Sequence, residues 1–163
     1  MFYNFVVGDF QDLTDLLTSL KDKIEIDCEY VIPNSYKHKD IKDLDKVKVV
    51  GKIERKTDGE IYIDIKASGR MLILDSISLD DVWYPFSFET CEKLGENSEI
   101  LENRLEIVSF LWQNIVLEVP LRYTTVENYE QFKGDGWMLV SEEDVKVNTP
   151  FSILKNLEDR SDK

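Results

Sequence analysis

Residues 103–125, NRLEIVSFLWQNIVLEVPLRYTT, decide the fold. Leu105, Val108, Leu111, Trp112 and Ile115 recur at helical spacing, while Glu106, Ser109, Gln113 and Asn114 hold the other side. The spacing predicts an amphipathic helix of about four turns with one dry face. Pro120 ends it, because the residue before a proline is pushed out of the helical region. Val119 and Leu121 then open an extended segment, so the helix is expected to run straight into a strand. Trp112 lies on the apolar stripe and reads as core; Trp112→Ala is expected to cost ~3–5 kcal/mol through the cavity it leaves. Neither half can bury its apolar face alone, and the middle of the chain must supply the surface.

That middle reads as strands. Residues 47–54 lead to Asp58-Gly59, beyond which Ile61, Ile63 and Ile65 alternate. Asp-Gly between alternating runs is a strong hairpin signal, since the turn needs left-handed backbone. Ser68-Gly69 marks a second turn, residues 71–74 a third strand, and Val82, Tyr84, Phe86 and Phe88 a fourth. Pro85 suggests an edge position or a bulge. The expected fold class is α+β: an antiparallel meander sheet or open barrel covered by the amphipathic helix.

Upstream, residues 2–7 can form a short strand that Gly8 breaks. Asp9 sits where a cap belongs, and Phe10, Leu13, Leu16, Leu17 and Leu20 follow at helical spacing, predicting a second helix over 9–21. Residues 24–32 alternate apolar and charged, a strand with one wet face. Residues 33–45 read as a loop or linker. Downstream, 127–135 looks like a loop, 141–143 can start a helical turn, and 158–163 reads as a frayed tail. The whole is expected as one domain over residues 1–157, because 163 residues build one sizeable core and are cramped for two.

Apolar content of 42% argues against disorder despite 33% charged residues. The net charge of −13 repels phosphate, which disfavours broad electrostatic binding to nucleic acid and suits basic protein partners. Cys28 and Cys91 are widely separated and expected as reduced thiols. No basic leader or long apolar run opens the sequence, so a cytoplasmic protein without membrane contact is expected.

Catalytic signatures are sparse. His38, in SYKHKD, is the one histidine and reads as a solvated loop residue. One histidine and two distant cysteines do not make an ordinary zinc site, and no phosphate-binding loop or nucleophile elbow occurs. No cofactor, metal or catalytic residue is expected. Between residues 75 and 106, nine carboxylates face only Lys93 and Arg104. This is either a solvated rim or a docking face for a basic protein tail. The candidate contact residues are Asp75, Asp80, Asp81, Trp83, Glu89 and Glu92. Trp83 alternates opposite Tyr84 and Phe86, so it either faces a second cover of the sheet or is an exposed contact. Trp137, after a glycine-rich turn, is expected to seal one end of the core.

The order of these features resembles the YceD-like proteins, the large ribosomal RNA subunit accumulation family. There a strand pair precedes a Cys-x-Arg segment and a strand with a Tyr-Pro-Phe-like run; Leu79, Asp80, Val82, Tyr84, Pro85 and Phe86 match. Leu-Glu-Val-Pro-Leu at 117–121, GDGWMLVSEED at 134–144 and TPFSILKNL at 149–157 resemble its later elements, so the likeness spans about residues 47–157. Asp75, Ile77 and Ser78 stand where the family has cysteine, arginine, and cysteine or threonine, so no metal site or arginine contact carries over. The resemblance implies a cytoplasmic bacterial ribosome-assembly factor, not an enzyme, whose partner is a basic ribosomal protein or a pre-ribosomal particle, with direct RNA contact left open. The alternatives are a generic acidic protein-interaction module and an enzyme working through paired carboxylates.

Overall fold

A computed structural model describes residues 10–95 and 100–139 of the chain. β1 (Gln11–Asp12) and the single-turn α1 (Thr14–Leu17) precede the first long strand, β2 (Lys23–Tyr30). The short β3 (Asp43–Leu44) leads to β4 (Val47–Arg55), β5 (Ile61–Leu74) and β6 (Asp81–Lys93). β2, β4, β5 and β6 pair antiparallel in that order, and β3 adds to β5 beyond the end of β4. A hairpin of β7 (Ile100–Leu101) and β8 (Arg104–Leu105), joined by β1, leads into α2 (Ile107–Leu117). The fold is α+β with antiparallel sheets.

The chain divides into two compact units, Met1–Thr124 and Thr125–Lys163. In the second, a 3-10 turn (Tyr129–Gln131) lies within the expected loop and precedes a hairpin of β9 (Lys133–Gly134) and β10 (Trp137–Met138). Trp137 is 59% exposed and lies over Gly134, so it seals no core among the described residues. The expected strand at 2–7, the turn at 141–143, the ending at 149–157 and the tail at 158–163 fall outside the described residues.

Alternation builds the first unit's core. Ile61, Ile63, Ile65, Ala67, Met71 and Ile73 of β5 are buried on one side of the sheet, beside Val47, Val49 and Ile53 of β4 and Phe86 and Phe88 of β6. Ile107, Val108, Phe110, Leu111 and Ile115 of α2 join the same cluster. Each fully buried aliphatic or aromatic side chain contributes about 1.5–3 kcal/mol.

Several expectations are corrected by packing. Ser68-Gly69 is no turn: β5 runs straight through it for 14 residues. Gly69 is there for space, because a Cβ would stand 2.9 Å from the Phe86 ring. α2 begins at Ile107, since Glu102 and Asn103, at φ 48 and 63, form the two-residue turn between β7 and β8. Left-handed backbone at both central positions is what such a tight hairpin requires. No strand opens directly after Pro120; the chain there bonds to a turn instead of a ladder. Trp112 is half-buried, its ring tilted 54° against Tyr36 at 5.8 Å.

The expected helix at 9–21 shrinks to one turn. Its N-cap position is Leu13, which makes no side-chain cap bond; the preceding Asp12 accepts the Thr14 N–H on Oδ1 at 2.9 Å, and Asp9 falls outside the described residues. Ser19, at φ 62, stops it: Leu20 N–H donates to the Asp15 carbonyl and Ser19 N–H to the Leu16 carbonyl, closing the carbonyl end. Only Leu13 and Leu16 of its leucines are buried. Residues 33–45 are no linker either. Tyr36, Ile41 and Leu44 pack on the core, and Lys42 and Asp45 N–H groups donate to the Leu72 and Arg70 carbonyls.

Two measurements check this packing. In urea denaturation Leu111→Ala should cost about 2–5 kcal/mol and half-buried Trp112→Ala about 1–2 kcal/mol; the reverse order would place the tryptophan in the core after all. A Cβ at Gly51 would meet the Asp64 carbonyl oxygen at 2.2 Å, whereas one at Gly59, in the β4–β5 turn at φ +83, meets nothing within 4 Å. Gly59→Ala should therefore cost only about 1–2 kcal/mol of backbone strain, and Gly51→Ala several times more, since strand backbone must separate. Equal losses by thermal denaturation would contradict the close approach.

Candidate partner-binding site

One carboxylate organises the turn between β5 and β6. Asp75 is wholly buried, at 0% exposure. Its Oδ1 accepts the backbone N–H of Ile77 at 2.8 Å and of Ser78 at 3.1 Å, the local bond that makes aspartate a turn former. The same oxygen accepts the Thr124 hydroxyl at 2.9 Å. Ser76 N–H donates to the Tyr123 carbonyl at 2.8 Å, and Ser76 Oγ accepts the Tyr123 N–H at 3.0 Å. The Tyr123 ring meets Tyr84 edge-on at 4.8 Å. The turn is thus stitched to the chain that leaves α2. Within it Leu79 is left-handed, at φ 62, and 69% exposed.

This geometry disperses the expected acidic face. Asp75 is buried and presents no surface, with Oδ1 committed to Ile77, Ser78 and Thr124. Asp80 is exposed on the turn. Asp81 is exposed but accepts from Lys42 Nζ at 2.5 Å. Trp83 is on the outer side of β6, 41% exposed, with the Arg70 guanidinium 5.4 Å from its ring centroid. Glu89 shares that side but lies about 26 Å along the strand from Asp81, at about 3.3 Å per residue. It pairs with Lys66 at 2.7 Å, and that hydrogen bond holds its carboxyl below the usual range. Glu92 has the opposite parity, at the far end of the core side, and accepts the Thr90 hydroxyl at 2.7 Å. Only Asp80, Asp81 and Trp83 stay together, beside Arg70 and the half-exposed Leu74.

Arg70 and Lys42 were hidden from sequence reading. A turn at Ser68-Gly69 breaks the alternation that sets Arg70 beside Trp83, and the linker reading of 33–45 gave Lys42 no place. Arg70 also bonds Asp45 Oδ2 at 2.7 Å, which fixes the guanidinium.

Beside the turn opens a cleft of about 520 Å³. Ile73, Leu74, Val116, Val119, Pro120, Leu121 and Tyr123 give it apolar walls, and Lys39 and Lys42 line its rim with Asp40 and His38. His38 sits between this cleft and a second one, of about 460 Å³, that Tyr36 and Trp112 line. Its Nδ1 accepts the Asp40 N–H at 3.3 Å. Among the described residues Asp40 is the one carboxylate lining the first cleft. Among the described residues no group of three or more His, Cys, Asp or Glu side chains is placed to hold a metal ion. Cys28 is buried in the core and Cys91 exposed on the outer face, both free; burial pushes the Cys28 thiol up. No helix of the described residues is long and apolar enough to cross a membrane.

No family model matches the chain, and no solved structure matches it. It is similar to the uncharacterized protein YlbN of Bacillus subtilis (strain 168). The two are 28% identical over 134 residues, which cover 72% of this chain and 77% of that protein.

Removing the buried carboxylate tests the turn. Asp75→Ala strands two N–H groups and a hydroxyl, at about 1–3 kcal/mol for a buried unsatisfied group. It should destabilise the first unit by about 3 kcal/mol, while Asp75→Asn, which keeps an acceptor oxygen, should cost about a third of that. Equal losses in chemical denaturation would show that the Oδ1 bonds do not hold the turn.

Proposed function

We propose that the chain is a non-enzymatic ribosome-assembly factor, cytoplasmic and bacterial. It supports accumulation of large-subunit ribosomal RNA by binding a basic ribosomal protein or a pre-ribosomal particle. The observation that carries this reading is a convergence. Two stretches of the resemblance to the YceD-like family, 79–86 and 117–121, are separated in the sequence by residues 87–116. The chain two residues beyond the second stretch reaches the first at one end of the sheet, where Tyr84 packs on Tyr123. The Asp75 carboxylate closes that turn through backbone and hydroxyl donors, so the turn stands without the cysteines the family pattern carries there.

The charge of −13 favours a cationic protein over naked RNA, because a carboxylate-rich surface repels phosphate and steers cations. The exposed Trp83, held beside Arg70, gives such a partner an aromatic anchor of the kind that dominates interfaces. We read the sheet as an open meander, since β2 and β6 flank it without pairing with each other.

Sedimentation of cell extract tests the proposal. The tagged chain should co-migrate with large-subunit precursors and leave them as salt rises from about 50 to about 300 mM, where screening shortens the reach of charge. A chain found only in the soluble pool would favour a generic acidic interaction module.

A further inference from the structure

Charges on the outer side of the sheet form rows. Across β2 and β4, Lys23 stands opposite Glu54, Glu25 opposite Lys52 and Glu29 opposite Lys48. Lys52 is opposite Asp64 in turn, and Lys66 opposite Glu89. At these positions unlike charges stand directly opposed, which stabilises pairing. The rows stop at β2, which ends the sheet. Among the described residues no strand pairs with its second edge, and an edge strand presents a row of unpaired N–H and C=O groups. The opposite edge, β6, is interrupted by Pro85, which has no N–H to give. Along β2, Glu25, Asp27 and Glu29 are exposed while Ile26, Cys28 and Tyr30 point into the core. Asp27 faces apolar Val50, so its charge has no counterpart across the pair.

We propose that the free edge of β2 takes an extended basic segment of a partner protein as an added strand, with Lys or Arg opposite Glu25, Asp27 and Glu29. The inference rests on the reading above that the partner is a basic protein, and it names the surface that partner meets. Charge disfavours a second copy of this edge. A second copy of β2, laid antiparallel with Ile26 on Ile26, sets Glu25 against Asp27 twice. Shifting it by two residues sets Glu25 against Glu25 or Asp27 against Asp27. Like charges directly opposite weaken a pair. Residues 1–9, MFYNFVVGD, contain no Lys or Arg. Phosphate is repelled.

The probe is a synthetic peptide, Thr-Lys-Val-Lys-Val-Lys-Thr, with a Glu-for-Lys analogue as control, added to the full chain at low salt. The basic peptide should bind at least ~10-fold tighter by fluorescence anisotropy, and amide exchange should slow at residues 23–30. Glu25→Lys/Asp27→Lys/Glu29→Lys should reverse the preference. Asp27→Lys alone, which meets only Val50 across the pair and keeps the fold's ion pairs, should weaken the basic peptide severalfold. β2 amides fully protected before peptide is added, protection elsewhere, a self-associating chain protected at 23–30, or an unchanged preference in the variants would each overturn the proposal. Co-migration of both wild type and triple variant with large-subunit precursors would defeat the β2 edge while leaving the assembly role standing. The expected peptide behaviour with a wild type confined to the soluble pool would do the opposite.

Discussion

A strand paired along both edges has no freedom to turn its side chains, and β5 is the longest such strand. Over 14 residues the two-residue period commits Ile61, Ile63, Ile65, Ala67, Met71 and Ile73 to one side and the charged residues between them to the other. Its backbone polar groups are consumed by β4 and β3 on one edge and β6 on the other, which is what buried backbone requires. The neighbours must then come close. Gly69 admits the Phe86 ring, and Gly51 admits the backbone at Asp64 and Ile65. α2 closes the apolar side, burying five residues in one cluster with the strands.

Local chemistry was legible where one period governed. Ile61, Ile63 and Ile65 alternate because they are strand, and Asp58-Gly59 bends because Gly59 takes φ +83. Ser68-Gly69 has the same turn-like composition, yet its glycine serves a ring 17 residues away, and no short window distinguishes the two uses. Tyr36, Ile41 and Leu44 anchor their loop at irregular intervals, so no period reveals them. Trp112 lies on the stripe, but Ile107 and Phe110 widen the buried side of α2 and leave the indole at its margin. Asp75 was least legible of all: an acid in a turn reads as surface until Thr124 closes over it.

Among the described residues the carboxylates do not gather into one face. On the outer side of the sheet, lysines stand opposite carboxylates at several positions, while the protein as a whole stays strongly negative. The two scales serve different ends. Long-range potential draws cationic molecules from solution, whereas short-range pairing rewards only a segment whose charges fall in register. The cleft beside Tyr123 obeys the same division, with Lys39, Lys42 and Asp40 on its rim over apolar walls inside an acidic protein.

The tie between Asp75 and Thr124 spans 49 residues. Closing so long a loop carries an entropic cost that nearer contacts do not, so the hairpins of the sheet can assemble before it. During synthesis the turn after β5 therefore waits, its carboxylate still hydrated, until the segment beyond α2 has emerged. The last stitch in the first unit is made by its last residue.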